Sequence, residues 1–308
     1  MPIKIPDGLP AKEELYREKI YTIDELRAAT QDIRPLRILI LNLMPKKEET
    51  ELQLLRLLGN SPLQVDIDFA HMTTHCSKNT DISHLAKFYM GFDEFRELYY
   101  DACIITGAPV EKLPFEEVDY FPELTCFFTW TDTHVFSTLH LCWGAQAALY
   151  HYFAIPKKML DQKLFGIFPV HIDYKRHPII RGFDDVYYIP ESRHTYSDPA
   201  RIQACEKLDI LTYSDYFGPD ILAAHRNRKL FIMGHLEYDR ETLKKEYIRD
   251  RAEGQPVALP LHYFPDDDPN RRPPFTWRSH ANLLYYNWLN FVYQETPYEL
   301  EAIKDIDQ

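Results

Sequence analysis

Glycine and long apolar stretches are both scarce in this sequence of 308 residues. Only 10 glycines are present, whereas proline (22) and tyrosine (21) are plentiful, and this composition argues against a flexible or low-complexity chain. No stretch approaches the roughly 18–20 consecutive apolar residues of a membrane-spanning helix. The N-terminal residues are polar, unlike those of a secretory signal. We therefore expect a globular protein with no membrane partner.

Cysteine is infrequent, and the spacing of the cysteines argues against both a disulfide framework and a zinc ribbon. The sequence has five cysteines, which are Cys76, Cys103, Cys126, Cys142 and Cys205. An odd, scattered set does not suggest a disulfide framework, and without a CxxC pair a zinc ribbon is not expected. We expect no bound metal and a reducing, cytoplasmic setting.

Positive charge is low as well. The formal net charge is -12, and basic residues form only pairs, such as Lys157 with Lys158 and Arg271 with Arg272. Proteins that bind nucleic acids usually present a basic surface. We therefore expect no nucleic-acid partner.

Apolar runs and helical patterns alternate through the first half of the sequence. Continuous apolar runs predict strands that are buried on both faces of a parallel sheet, and the segments between them have helical spacing. The predicted strands are residues 36–45, 63–71, 101–109 and 137–142, and the clearest helices are residues 46–59 and 143–153. This alternation is typical of a doubly wound α/β sheet.

Beyond residue 164 the pattern becomes rich in strands, and the last of them is the segment KLFIMGHLEY, residues 229–238. We expect antiparallel strands added at the edge of the parallel core. Residues 238–254 and 280–293 are predicted to be helices.

The most economical division of the chain is one domain with extensions. Pro2, Pro6 and Pro10 would interrupt any helix at the start of the sequence. We interpret residues 1–34 as an N-terminal extension, residues 35–300 as a single α/β domain and residues 301–308 as a C-terminal tail.

The sharpest functional signal is the segment HLCWGAQAALYHYF, in which Cys142 stands between an apolar strand and a helix. A nucleophile on such a turn projects into the crevice at the carboxyl end of the strand, and the helix N-terminus stabilises a thiolate. The backbone N–H of Trp143 could donate to the oxyanion of a tetrahedral intermediate, with a second donor from residues 106–110. Gly144 would permit this close approach of the backbone. The alternative is a buried structural cysteine.

A cysteine nucleophile needs a base, and the segment KLFIMGHLEYD offers one. His235 and Glu237 are two residues apart at the end of an apolar run, and such residues share one face of a strand. The carboxylate could then fix the imidazole tautomer while the other ring nitrogen reaches the thiol. We predict a triad of Cys142, His235 and Glu237. A surface histidine and glutamate at a strand end is the alternative.

These motifs resemble the homoserine O-acyltransferases of methionine biosynthesis, which share the class I glutamine amidotransferase-like (flavodoxin-like) fold. The resemblance covers nearly the whole sequence and includes LNLMPKKEETE, FYMGFDEF, DACIITGAPVE, PESRHT and MGHLEYDRETL. It implies that Cys142 takes an acyl group from an acyl-CoA co-substrate as a thioester, with His235 as the proton acceptor. The group would then pass to the hydroxyl of L-homoserine. The resemblance also implies a homodimer and no bound cofactor.

The same resemblance implies further binding residues. Lys163, in DQKLFG, would contact substrate, while Ser192 and Arg193, in PESRHT, would line the substrate pocket. Ser192 would also bear on the choice of acyl donor. Arg249, in KKEYIRD, would bind the homoserine carboxylate, which suits the bidentate fork of a guanidinium. Without the resemblance, Lys163 and Arg249 would be ordinary surface residues.

The acyl donor depends on Glu111, which follows the third predicted strand in TGAPVEKLPFEEV. In the family that this sequence resembles, glycine at this position goes with succinyl-CoA and glutamate with acetyl-CoA. A succinyl group ends in a carboxylate, and a second carboxylate at about 4 Å would oppose it by roughly 1–4 kcal/mol. We therefore predict acetyl-CoA, unless Glu111 simply points to water.

Three alternatives remain open from the sequence. The first is the same transferase using succinyl-CoA. The second is a glutaminase or amidotransferase, although His140 stands where that wider family usually has glycine. The third is a non-catalytic sensor or interaction protein.

Overall fold

The computed structural model describes residues 3–4, 22–23, 34–74, 82–173 and 176–306. Most of the predicted N-terminal extension therefore lies outside the described residues, as do the last two residues of the predicted C-terminal tail. Residues 301–305 of that tail belong to a 3-10 helix, Leu300–Asp305, whose Ile303 side chain is fully buried.

The described residues form two large sheets surrounded by helices. The strands, in chain order, are β1 (Ile3–Lys4), β2 (Thr22–Ile23), β3 (Leu36–Leu41), β4 (Val65–Ala70), β5 (Tyr89–Met90), β6 (Tyr100–Ile105), β7 (Val135–Leu141), β8 (Lys157–Ile172), β9 (Val186–Ser197), β10 (Asp209–Ile210), β11 (Thr212–Ser214), β12 (Gly218–Pro219), β13 (Ile221–Ala224) and β14 (Lys229–Ile232). The α-helices are α1 (Lys47–Leu58), α2 (Ile82–Phe88), α3 (Phe92–Phe95), α4 (Phe121–His134), α5 (Trp143–Phe153), α6 (Pro199–Gln203), α7 (Thr242–Ala252) and α8 (Arg278–Glu295).

The main sheet has the strand order β10-β13-β14-β7-β6-β3-β4-β5, and the strands from β14 to β5 are parallel. Its central strands are buried on both faces. Successive side chains of a strand point to opposite sides of the sheet, and here both sets are buried. Ile38 and Ile40 of β3 enter one hydrophobic cluster, whereas Leu39 and Leu41 enter the other. Helices α1 and α8 cover the first face, and α4 and α5 cover the second. The predicted doubly wound α/β sheet is confirmed.

The added antiparallel strands are arranged differently from the expectation. Strands β8, β9, β11 and β12 form a separate antiparallel sheet, dominated by the long hairpin of β8 and β9. Only β10 and β13 extend the main sheet as antiparallel edge strands.

The sequence pattern groups β14 with the antiparallel edge strands, and this expectation is wrong. Strand β14 turns back from β13 and therefore runs parallel to β7, with Ile232 beside Leu141. The carboxyl ends of β7 and β14 consequently lie next to each other. The residues that follow these two strands, including Cys142 and His235, are thus brought to the same edge of the sheet.

The two later helices were predicted correctly, and they are α7 and α8. No helix among the described residues is both long enough and apolar enough to cross a membrane.

Candidate active site

Cys142 occupies the sharp turn between β7 and α5. Its backbone has φ 46° and ψ -114°, a conformation that non-glycine residues rarely adopt and that costs about 1–3 kcal/mol. The turn is held on both sides, because the Cys142 N–H donates to Ile232 O at 2.8 Å and the Gln146 N–H donates to Cys142 O at 3.0 Å. The side chain is largely buried and lines a pocket of about 400 Å³.

The turn after β6 packs directly against this elbow. A Cβ atom added to Gly144 would lie 2.5 Å from Thr106 O, so only glycine allows the helix to start this close to β6. A Cβ added to Gly107 would lie 3.3 Å from the Cβ atom of Cys142 and 3.7 Å from the backbone nitrogen of Trp143. The two segments that were predicted to supply oxyanion donors are therefore adjacent.

His235 and Glu237 lie beyond the end of β14, in a turn. Nδ1 of His235 is 2.7 Å from Oε1 of Glu237, and both side chains are buried. The His235 N–H donates to Pro190 O at 2.9 Å, and the ring stacks on Tyr238 with centroids 4.1 Å apart. The pairing of His235 with Glu237 was predicted from strand periodicity, but the two residues do not lie on a strand. The turn and its contact with β9 hold them together.

Charge governs the protonation of His235. Burial would lower the pKa of the imidazole, but the negative charges of a Cys142 thiolate and of Glu237, together with their hydrogen bonds to the ring, raise it well above its ordinary value. Because Glu237 engages Nδ1, Nε2 is the ring nitrogen left for the thiol. The arrangement favours an imidazolium while a thiolate is present.

Arg193 does not line the pocket. It lies between Ser192 and His194 on β9, and strand alternation sends it to the opposite face from those two residues. There its Nε atom is 2.8 Å from Oε2 of Glu191, and both side chains are buried. The expectation that Arg193 lines the substrate pocket is therefore wrong.

Glu191 links that ion pair to the histidine turn. Burial raises the pKa of Glu191 to about 7, while the charges of Arg193 and His235 act in the other direction. A Cβ atom on Gly234 would lie 2.9 Å from Oε1 of Glu191, so the turn that carries His235 packs closely on this carboxyl group. The Gly234 N–H also donates to buried Asp220 at 3.3 Å.

The other predicted substrate residues meet at one wall of the pocket. Lys163 donates to Asp250 at 2.9 Å, and Arg249 donates to the same carboxylate at 2.6 and 2.9 Å. The Ser192 hydroxyl donates to Glu246, which also lies 3.7 Å from the Lys163 ammonium. The pocket wall therefore carries positive and negative side chains that pair with one another.

Glu246 and Asp250 were missed by the sequence analysis. Together with Arg249 they face the pocket from α7, because residues three and four apart lie on the same side of a helix. That spacing is the signal that could have found them, but it is equally common on solvated helix surfaces.

Glu111 also lines the pocket, and its carboxylate does not simply point to water. Oε2 of Glu111 accepts a hydrogen bond from the His194 N–H at 2.8 Å and another from the Thr195 hydroxyl at 3.3 Å. Its carbonyl oxygen accepts from the Lys157 ammonium at 2.5 Å. Both the backbone and the side chain of Glu111 are thus fixed at the pocket wall.

No group of three or more metal-ligating side chains occurs within the described ranges. The chemistry that the pocket offers is that of a thiol, an imidazole and a set of charged groups for positioning.

Comparison with known proteins shows the family of this chain. Residues 2–298 match the family model described as homoserine O-succinyltransferase. The chain belongs to the homoserine O-succinyltransferase family. The predicted resemblance to homoserine O-acyltransferases is thereby confirmed, and with it membership of an acyltransferase family.

Similar members of this family are named for transfer of an acetyl group and not of a succinyl group. A homoserine O-acetyltransferase from Acetivibrio thermocellus is 54% identical over 305 residues, which cover 99% of this chain and 100% of the relative. A homoserine O-acetyltransferase from Geobacillus kaustophilus is 55% identical over 302 residues, covering 98% of this chain and 100% of the relative. Membership of the homoserine O-succinyltransferase family alone therefore does not decide the acyl donor.

Solved structures with a similar fold include two amidotransferases. A glutamine amidotransferase from Thermotoga maritima has a TM-score of 0.57 at 12% identity and covers 84% of this chain and 99% of its own. A glutamine amidotransferase from Methylobacillus flagellatus has a TM-score of 0.53 at 10% identity, covering 84% and 95%. At such low identity they bear on the fold alone, and they confirm the predicted amidotransferase-like class.

Proposed function

We propose that this protein is a homoserine O-acetyltransferase, which transfers the acetyl group of acetyl-CoA to the hydroxyl of L-homoserine and forms O-acetyl-L-homoserine for methionine biosynthesis. The observation that carries the proposal is that Cys142 and His235 line one pocket, with Nδ1 of His235 held 2.7 Å from Glu237. A nucleophile, a base and a group that orients the base are what a double-displacement acyl transfer needs.

In the first half-reaction the Cys142 thiolate attacks the thioester carbonyl of acetyl-CoA. The Trp143 N–H and an N–H of the turn at residues 106–110 hold the oxyanion. The tetrahedral intermediate then expels CoA, which takes the proton of the His235 imidazolium, and an acetyl thioester remains on Cys142.

In the second half-reaction homoserine enters the charged wall of the pocket. Arg249 receives its carboxylate, and Lys163 and Ser192 complete the binding site. Neutral His235 accepts the proton of the substrate hydroxyl while the oxygen attacks the thioester. Expulsion of the Cys142 thiolate yields O-acetyl-L-homoserine and restores the enzyme.

The choice of acetyl over succinyl is supported by Glu111. Its carboxylate lies on the pocket wall, where it would repel the distal carboxylate of a succinyl group and occupy the space that group needs. The names of the relatives from Acetivibrio thermocellus and Geobacillus kaustophilus agree with acetyl transfer. The cytoplasmic location expected from the cysteine pattern and the homodimer implied by the family resemblance remain predictions.

The test is intact-mass spectrometry after the protein is mixed with acetyl-CoA and, separately, with succinyl-CoA. We expect an acetyl adduct that maps to Cys142 and disappears on addition of L-homoserine. Cys142→Ala should form no adduct, while Cys126→Ala, which changes an exposed cysteine, should behave as the wild type.

Three results would contradict the proposal. A predominant succinyl adduct would assign the other donor. Release of ammonia from glutamine without any acyl adduct would favour an amidotransferase. An unmodified thiol with both donors would favour a non-catalytic role.

A further inference from the structure

A second groove of about 320 Å³ opens beside the reaction pocket. The two cavities share Glu111, Lys112 and Leu113 as a common wall. A long substrate that reaches Cys142 could therefore leave the reaction pocket across this wall and continue into the groove. The remaining lining residues come from the segment that follows Leu113, from Pro156 and the start of β8, and from Tyr150 of α5 and Thr195 of β9.

Lysines outnumber glutamates among the charged residues that line this groove. It is lined by three lysines, Lys112, Lys157 and Lys158, and by two glutamates, Glu111 and Glu116. Hydrogen bonds fix the position of both carboxylates, since Glu111 accepts from the His194 N–H at 2.8 Å and Glu116 accepts from the Tyr150 hydroxyl at 2.5 Å.

The three lysines have different parts in the groove. Lys157 is occupied, since its ammonium donates to Glu111 O and Leu113 O at 2.5 Å each and so holds the shared wall in place. Lys112 is exposed, and Lys158 is 51% exposed. Lys158 is 2.7 Å from Asp198, but an ammonium has three donors and can serve a second acceptor. Lys112 and Lys158 are therefore the lysines available to a phosphate.

Apolar side chains are also exposed in the groove. Leu113 is 42% exposed and Met159 is 54% exposed. Contact with the methylene and methyl groups of a ligand would remove this surface from water. The groove thus combines apolar contacts near the shared wall with ammonium groups.

The opposite rim of the reaction pocket is a poor place for the phosphate groups of the donor, because the proposed function assigns its cationic side chains to homoserine. There Glu246, Asp250 and Glu253 line the cavity from α7 and its C-terminal end. Lys163 and Arg249 on this side pair with Asp250 and, in the proposed function, hold homoserine. Phosphate groups placed at this rim would face carboxylates, whereas in the groove they would face lysines.

We infer that the groove binds the nucleotide end of the CoA donor, with the phosphate groups on Lys112 and Lys158 and the pantetheine arm crossing Leu113 to the reaction pocket. This inference rests on the proposed use of an acyl-CoA donor. It assigns binding energy to a part of the donor remote from the reacting thioester, which leaves the chemistry at Cys142 unchanged.

The test compares donors with and without the nucleotide. The double variant Lys112→Ala/Lys158→Ala is compared with the wild type and with a control, Lys207→Ala/Lys304→Ala, that removes two exposed lysines outside both cavities. For each protein, kcat/KM is measured with acetyl-CoA and with S-acetylpantetheine. Binding of CoA and of pantetheine is measured by calorimetry at low and high salt.

The ratio of kcat/KM for acetyl-CoA to that for S-acetylpantetheine should fall by about tenfold in the groove variant, as expected when charge-assisted contacts to phosphate are removed. The control should keep the wild-type ratio. The affinity of the wild type for CoA should weaken with added salt more than its affinity for pantetheine. An unchanged ratio in the groove variant, or equal affinity of the wild type for CoA and pantetheine, would overturn the inference.

Failure of the proposed function would be seen separately. If the wild type binds CoA more tightly than pantetheine, and the groove variant loses that difference, the groove is supported even when acetyl transfer is absent. If acetyl transfer proceeds but the groove variant behaves as the wild type, only the groove assignment fails.

Discussion

The carboxylate of Glu111 accepts a hydrogen bond from the backbone N–H of His194 at 2.8 Å. This contact joins the segment after β6 to strand β9, across the pocket that also holds Cys142. The carboxylate is therefore fixed on the wall of the pocket in which the proposed reaction places the acyl group of the donor. We propose that donor selectivity is a local electrostatic property of this wall.

Glu111→Gly should shift donor preference towards succinyl-CoA. Removal of a carboxylate that opposes the succinyl group by about 1–4 kcal/mol should lower the acetyl-to-succinyl ratio of kcat/KM by about tenfold or more. The ratio is measured with both donors at the same homoserine concentration. Glu117→Gly, which changes an exposed glutamate outside both cavities, should leave the ratio unaltered. A wild type that already prefers succinyl-CoA would contradict this prediction.

Glu237→Gln should reduce kcat by roughly 100- to 10,000-fold, because the imidazole loses the group that orients it. In the acetyl-enzyme Cys142 bears no negative charge, so Glu237 is the partner left to raise the pKa of His235. Its loss lowers that pKa. The acidic limb of the kcat–pH profile, where the base becomes protonated, should therefore move to lower pH.

The pH profile of residual activity checks this prediction, with Glu241→Gln as a matched control four residues along the chain. An acidic limb that stays in place, or that moves to higher pH, would show that Glu237 does not set the charge of His235.

Arg249→Ala should raise the KM for homoserine by roughly tenfold to 100-fold, the effect of losing a charge-assisted hydrogen bond of about 1.5–3 kcal/mol. The rate at which acetyl-CoA acylates Cys142 should change far less, since homoserine is absent from that step. Arg251→Ala is the control, because Arg251 donates to Tyr247 at 3.1 Å and does not line the pocket. Steady-state kinetics and rapid-quench acylation separate the two steps. An equal loss in both would argue against a role in homoserine binding.

Arg193→Ala should lower the free energy of unfolding by about 3–5 kcal/mol, because buried Glu191 loses its partner. The effect depends on pH. Burial raises the pKa of Glu191 from an ordinary 4.5 to about 7, so its charge costs stability as pH rises through that window. Without Arg193 the cost is larger, and the loss of stability should be greater at about pH 8 than at about pH 5.

Urea unfolding at the two pH values measures this difference, with Arg201→Ala as an exposed control on α6. A loss that is the same at both pH values would mean that Glu191 is not the group left uncompensated.

Features that depend on contacts between residues close in the sequence were predicted correctly, whereas features that depend on distant contacts were not. Local patterns were sufficient for the parallel core, since β3, β6 and β7 are continuous apolar runs, and for the elbow at Cys142, where a strand meets a helix. The pairing of His235 with Glu237 was also predicted, although a turn beyond β14 and not strand alternation holds it. The predicted antiparallel direction of β14 was wrong, because the periodicity of a strand does not reveal which strands it pairs with.

The sequence by itself determined the fold class, and it predicted the nucleophile and its base, because these follow from short-range patterns of apolar, small and polar residues. The tertiary structure decided which side chains share the pocket. It brought Glu246 and Asp250 of α7 to Lys163 of β8, it fixed Glu111 against His194, and it turned Arg193 away to Glu191. Such contacts join residues far apart in the chain, and only the packing of the sheets and helices determines them.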